Sequence, residues 1–314
     1  MSPRARLAAR VALSIGLLLL IFLFVDLGEM VTRLRAVDPW LFVALLALLT
    51  ADRFLMAFKW LLLVRAQELR LTFPQALRAY YISSFAGLFL PMTVGADIIR
   101  AMAVRRAGST PKILATIALE RGLGAVSQIL LAALSLSMIV VLGLDLGVSN
   151  LQLAVIVVLL LVILLAGLPF SFWLAARVAR ALETRGSLAR KVAELADAYA
   201  ESRHHRVVIG TFLLLTVIEG FFPIAWYWVA ALALGLDLPF ILFVATIPIV
   251  FMVARLPISL GGMGVLEGSF VILAGLLGIA TDDAFSIVIL CRLAEVLALL
   301  PGAVAYLLVR EEIS

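Results

Sequence analysis

Leu90-Pro91-Met92-Thr93-Val94-Gly95 and Leu256-Pro257-Ile258-Ser259-Leu260-Gly261 are one short pattern written twice. Each has Leu-Pro, a hydroxyl residue two positions after the proline and a glycine four positions after it. Each copy breaks a long apolar segment, 74–108 in one case and 240–280 in the other. Polar punctuation follows, Ser109-Thr110-Pro111 and Thr281-Asp282-Asp283. Both read as helix starts: Thr110 is an N-cap ahead of a proline at the first helical position, and Thr281 or Asp282 is the N-cap of the second. A long apolar helix then begins, and an arginine stands 11 residues in, Arg121 after Thr110 and Arg292 after Thr281. Eleven residues rise roughly 16 Å, about half of a ~30 Å hydrocarbon core. Both arginines therefore reach the midplane of a membrane.

Composition makes that membrane necessary. Of 314 residues, 65% are hydrophobic and 14% charged, and mean hydropathy is +1.19. A soluble domain carries roughly 25% charged residues, so this chain cannot cover its own surface with polar groups. Soluble-enzyme, secreted and nucleic-acid-binding classes are excluded. The net charge of +5 does not restore the last, because 22 of the 25 basic residues are arginines gathered in short loops. The single Cys291 sits in an apolar run, so there is no disulfide framework. The run 11–25 behind Arg4, Arg6 and Arg10 imitates a signal peptide, yet no small-residue cleavage site follows, and it reads as a retained anchor.

Stretches long enough to cross fall near 11–27, 40–64, 113–142, 151–175, 207–234 and 285–309. Basic residues set the orientation. The N-terminus, Arg65, Arg70, Arg78, Arg100, Arg105, Arg106, Lys112, seven residues from Arg177 to Arg206, and Arg310 put 18 on one side; the other has Arg33 and Arg35. The Arg-rich side is then cytoplasmic and both termini lie there. The count requires 74–108 to enter from and return to the cytoplasm, and 240–280 to do the same from outside. The expected fold is an all-α integral membrane protein: six transmembrane helices plus two broken helical hairpins in an inverted-topology repeat. It forms one polytopic domain over 1–314, with the first repeat at about 74–142 and the second at about 240–309. Within the cytoplasmic loop 177–206, Leu188, Val192, Leu195 and Tyr199 recur at helical spacing and predict an interfacial amphipathic helix. His204 and His205 at its end read as a solvated loop, not a metal site.

Eleven ionisable residues lie in or near the membrane: Asp52, Arg53, Lys59, Asp97, Glu120, Arg121, Glu219, Arg255, Glu267, Arg292 and Glu295. A central charge costs roughly 2.5–3.5 kcal/mol on insertion scales, so such residues face a bundle interior or a cavity. Arg292 and Glu295, three apart, share a helix face. Glu120 and Arg121 diverge by about 100° and must each find a partner elsewhere. Asp52, Arg53 and Lys59 are close enough to helix ends to snorkel. Arg121 and Arg292 read either as an anion site or as structural ion pairs. The half-helices after Gly95 and Gly264 direct backbone N–H groups into the protein, ready for a phosphate or carboxylate, and Gly261, Gly262 and Gly264 permit close approach or simply close helix packing.

Taken together, Leu90-Pro91 through Gly95, Asp97, Arg100, Glu120-Arg121, the run from Pro257 through Gly264 to Glu267, and Arg292 resemble the lysylphosphatidylglycerol synthase transmembrane region. That is the flippase-like half of the bacterial multiple peptide resistance factor and its stand-alone relatives. The resemblance runs over about 11–309. It implies a bacterial inner-membrane protein that binds lipids or moves them between leaflets, and carries over Asp97, Arg100, Glu120, Arg121, Glu267 and Arg292 as functional positions. The family's aminoacyl transfer belongs to a soluble C-terminal domain, and the chain ends at Ser314, so lysyl transfer is not expected. Lys59-Trp60 stands where relatives are expected to have Arg-Trp.

Three functions stay open. The first is a flippase or transporter for an anionic lipid, phospholipid or isoprenoid phosphate, with the head group held among Asp97, Arg100, Glu120, Arg121, Gly261, Gly262, Gly264, Glu267, Arg292 and Glu295, and no cofactor, metal or nucleic acid. In that reading the carboxylates Glu120, Glu219, Glu267 and Glu295 tune the site or accept protons. The second is an intramembrane transferase for a lipid-linked substrate. The third is a non-transporting partner of a lipid-modifying enzyme on a separate chain.

Overall fold

A computed structural model describes residues 27–88, 93–141, 143, 149–183, 186–255 and 264–311. Among them are twelve α-helices: α1 Leu27–Arg35, α2 Pro39–Ala66, α3 Phe73–Gly87, α4 Thr93–Ala103, α5 Thr110–Val141, α6 Asn150–Leu182, α7 Gly186–Glu201, α8 Arg206–Glu219, α9 Phe221–Ala233, α10 Phe240–Ala254, α11 Val265–Leu276 and α12 Thr281–Glu311. The chain is an all-α membrane protein. Five helical stretches are long and apolar enough to cross: Pro39–Ala66, Thr110–Val141, Leu151–Leu182, Arg206–Ala233 and Thr281–Tyr306. The anchor expected at 11–27 lies outside the described residues, as do both Leu-Pro tips, Gly261 and Gly262.

Local chemistry starts the helices. Asp38 caps α2, its carboxylate accepting from the N–H groups of Trp40 (2.7 Å) and Leu41 (3.1 Å), with Pro39 next in line. Thr72 and Ser149 are N-caps whose own N–H groups are met by Gln75 (2.9 Å) and Gln152 (2.8 Å). The hairpin arms α3 and α10 have 15 residues each, about 22 Å, too short to cross the core.

Packing reveals two related halves. Helices α2, α3, α4 and α5 correspond to α9, α10, α11 and α12. Within each half, consecutive members touch, and the first also packs on the last. Between halves the hairpins exchange partners: α3 packs on α12 and α10 packs on α5, while α2 meets α9. This is the contact pattern of a two-fold.

The two long helices start at opposite ends of the molecule. At the start of α2, the Asp38 N–H donates to Ala233 O (2.9 Å), and Arg33 pairs with Asp283 at the start of α12. At the far end of α2, Gln67 Nε2 donates to Ala198 O (3.0 Å) and the Arg70 N–H to Ala107 O (3.2 Å), just before α5 begins. Since α2 has 28 residues, these ends are about 42 Å apart. Single cysteines at Ser109 and Asp282 in a Cys291→Ala background should therefore react with an impermeant thiol reagent from opposite sides of the membrane; labelling from one side would refute the inverted arrangement.

Two prolines are accommodated by neighbouring side chains. Pro248 inside α10 lacks an N–H for the Val244 carbonyl; Ser135 Oγ on α5 donates to that oxygen (2.7 Å), and Gln128 Nε2 donates to the carbonyl of Pro248 (2.8 Å). The stretch expected as one helix over 207–234 breaks at Gly220, because Pro223 cannot donate to the Glu219 carbonyl. At Gly302 the close approach of α12 to α3 admits no side chain: a Cβ would lie 2.3 Å from Tyr81 O. Gly302→Ala should cost about 1–3 kcal/mol by overpacking, read as a lowered melting temperature in detergent.

α7 divides the face expected of it: Leu195 and Tyr199 are partly buried, and the Tyr199 ring packs on Phe172 of α6. The helix packs on α5 and α6 through Ala193, Ala196 and Ala200, while Leu188 (76% exposed) and Val192 (43%) point away. Alanines win that face because they let the helices approach closely. His204 and His205 sit in the turn after it, His204 exposed and accepting from Arg203 Nε at 3.2 Å.

Candidate functional site

The carried-over residues of the first half form one ion cluster between α3, α4 and α5. Arg100, only 2% exposed, pairs with Glu120 (2.8 Å) and Asp97 (3.2 Å). Its guanidinium lies against both the Trp60 ring (4.8 Å) and the Tyr80 ring (4.7 Å), which meet edge to face, a placement that suits a weakly hydrated planar cation. The Tyr80 hydroxyl donates to Glu120, and Trp60 Nε1 donates to Thr116 Oγ1 (3.1 Å). Arg121 grips Asp97 with two bonds, Nε at 3.0 Å and Nη2 at 2.9 Å. Arg100 thus belongs to the interior, and the charge asymmetry of the two ends stands without it.

The second half repeats the arrangement. Arg292 donates through Nε (3.1 Å) and Nη2 (2.7 Å) to Glu267 Oε1 on α11, and through Nη1 to Glu295 (2.9 Å). In both halves, the arginine 11 residues into the long helix clasps a carboxylate on the second hairpin arm. Glu267, 2% exposed, turns its other oxygen back to accept the N–H of Gly264 at 2.7 Å. Gly264 adopts φ +79°, the left-handed region that glycine tolerates. The start of α11, read above as a free anion seat, is thus filled by the helix's own side chain. Arg121 and Arg292 each carry carboxylate partners.

An open polar space lies elsewhere, where the halves meet. A cavity of about 160 Å³ is lined by Asp52, Arg53, Gln128, Glu219, Trp226 and Arg255, among others. Asp52 is 1% exposed and Lys59 2%. Neither snorkels: Lys59 Nζ reaches Glu219 (2.6 Å) and Thr216 (3.1 Å), and Arg53 pairs with Asp52 (2.6 Å). Glu219 sits beside the helix break at Gly220, which presents it to the cavity. Asp52 Oδ1 and Ser127 Oγ, both on the lining, are buried without a hydrogen-bond partner among the described residues. Arg255, at the end of α10, has no carboxylate partner among the described residues, and Gly124 leaves room beside it, a Cβ there standing 3.9 Å from its Nη1.

The cavity joins the two clusters. Arg255 is within electrostatic reach of Arg121 and Glu219, and Arg53 is within reach of Glu295. Twelve charged residues, six basic and six acidic, make up one set in the apolar interior, formed by the two clusters and the charges at the cavity. Every one of the eleven intramembrane charges belongs to it, with Arg100 added.

A family model for the lysylphosphatidylglycerol synthase TM region matches residues 7–302. The chain belongs to this family. Among curated proteins, none matches it. Membership of the lysylphosphatidylglycerol synthase TM region makes it a multi-pass membrane protein related to lipid handling, and all twelve charges fall within the matched span.

Of the ten residues expected at one site, this family member's structure places Asp97, Arg100, Glu120 and Arg121 in one cluster and Gly264, Glu267, Arg292 and Glu295 in another. The sequence reading misses the centre. Asp52, Arg53, Lys59, Glu219 and Arg255 are visible as costly charges, but their convergence depends on α2, α8 and the end of α10 bordering one cavity. Ser127 and Gln128, two adjacent polar residues midway along apolar α5, are the signal that points there.

Proposed function

We propose that this protein moves an anionic amphiphile, of the phospholipid or isoprenoid-phosphate kind, between the leaflets of a bacterial inner membrane. The phosphate passes through the cavity between the halves while the acyl chains stay in the bilayer. The observation that carries the reading is Arg255: a guanidinium on a polar cavity in the apolar interior, with no acid of its own among the described residues. A guanidinium presents a planar fork that matches phosphate oxygens. Elsewhere in the set of interior charges each base has an acid, so the paired clusters set the shape of the path and Arg255 supplies the site. The Arg-rich end, with Arg65, Arg70, Arg105 and Arg106, faces the cytoplasm by the positive-inside rule, which puts both termini there.

Purified protein in liposomes carrying a fluorescent anionic phospholipid tests this, with a membrane-impermeant quencher reading the exposed leaflet. Wild type should equilibrate the lipid. Arg255→Gln should slow it at least about tenfold, the loss of one charge-assisted contact, with melting temperature unchanged because no buried acid is stranded. Arg255→Lys should retain part of the rate. Full transport by Arg255→Gln would overturn the assignment.

A further inference from the structure

A second cavity, of about 400 Å³, lies on the flank of the bundle and shares no lining residue with the first. Pro169, Trp173, Ala176 and Arg180 line it from α6, and Arg203 from the turn between α7 and α8. The spacing 169, 173, 176, 180 is one face of a helix. α6 has 33 residues, about 50 Å, against ~30 Å of hydrocarbon, so its last third emerges from the core. Phe170 and Trp173 mark the exit: their rings stack at 5.5 Å, both are about half exposed, and aromatic residues favour that depth. Arg177 covers the Trp173 ring at 4.5 Å, and Arg180 lies one turn further, at head-group level.

The charges there are unspent. Arg180 uses Nε on its own helix, donating to Ala176 O (3.1 Å), and Arg203 uses Nε on His204. Neither has a carboxylate partner among the described residues. Residues 177–206 hold seven bases against four acids. Ala176 leaves a gap between Trp173 and Arg180 that a larger side chain would close. Beside it, α7 turns the exposed Leu188 and Val192, one turn apart, away from the bundle, as a helix lying in the interface does.

We propose that this groove binds the anionic phosphate head group of a phospholipid from the leaflet at the Arg-rich end. Arg180 and Arg203 take the phosphate, Trp173 and Pro169 take the glycerol and upper acyl chain, and the bound lipid holds α7 at the membrane surface. The site is separate from the transport cavity.

Native mass spectrometry of the full-length protein in mild detergent tests it, with phosphatidylglycerol, phosphatidylcholine and inorganic phosphate as probes. Wild type should bind phosphatidylglycerol in preference to phosphatidylcholine. Arg180→Gln with Arg203→Gln should weaken phosphatidylglycerol binding about tenfold or more and leave phosphatidylcholine unchanged. Ala176→Trp, which fills the groove and keeps both charges, should have the same effect. Excess inorganic phosphate should leave phosphatidylglycerol bound; its displacement would make this a free-anion site and overturn the lipid assignment. Undiminished phosphatidylglycerol binding by both groove variants, or equal loss of the two lipids, would also overturn it.

Discussion

Arg100→Leu should remove about 3–5 kcal/mol of stability, the cost of breaking a buried ion pair from one side. The substitution strands the Glu120 carboxylate, 9% exposed, with the Tyr80 hydroxyl as its remaining donor. It also removes the cation that lies against the Trp60 and Tyr80 rings. Asp97 keeps its two bonds from Arg121, so the damage falls on Glu120. Adding Glu120→Gln removes the stranded charge while keeping an acceptor for Tyr80, and should return most of the loss. Unfolding in detergent measures both variants. A cost under about 1 kcal/mol, typical of an exposed pair, would show that water reaches this cluster.

Arg292→Gln should cost about 3 kcal/mol, at the lower end of that range because its side chain is 24% exposed. It leaves Glu267 buried with only the Gly264 N–H and Glu295 without its partner. Arg292→Gln with Glu267→Gln should recover most of the stability. The matching change in the other half, Arg121→Gln, should cost under about 1 kcal/mol, since Arg121 is half exposed and Asp97 retains Arg100. This contrast separates a structural role from a substrate-holding one. Normal stability of Arg292→Gln with lost transport would return the arginine to the substrate and contradict the pairing described here.

What could be read from the sequence was whatever is written locally. Thr110-Pro111 and Thr281 mark helix starts, the two Leu-Pro-…-Gly runs mark interruptions, and an 11-residue spacing converts directly into depth. The divergence of Glu120 and Arg121 follows from helical geometry alone, and each finds a partner on another helix. Long-range convergence was not legible. Lys59 meets a carboxylate 160 positions away, and nothing near Lys59 distinguishes that from a side chain reaching for the interface. The alanine face of α7 was hidden because larger apolar residues dominate any reading by hydropathy, while close helix packing favours the smallest. The occupied start of α11 was hidden for a different reason. Gly264 and Glu267 are three apart, and an acid at that spacing serves equally as a binding residue and as the helix's own cap.

Passage of lipid through the cavity is tested by lipid equilibration in one protein before and after its cavity is filled. In a Cys291→Ala background, Gly124→Cys places a thiol beside Arg255 with ordinary packing space. A small anionic methanethiosulfonate then adds a sulfonate to the cavity wall, opposite the guanidinium, in a protein already folded and inserted. Lipid should equilibrate before modification and cease to do so after complete modification, with recovery on reduction. Equilibration that continues unchanged in the fully modified protein would contradict passage through the cavity.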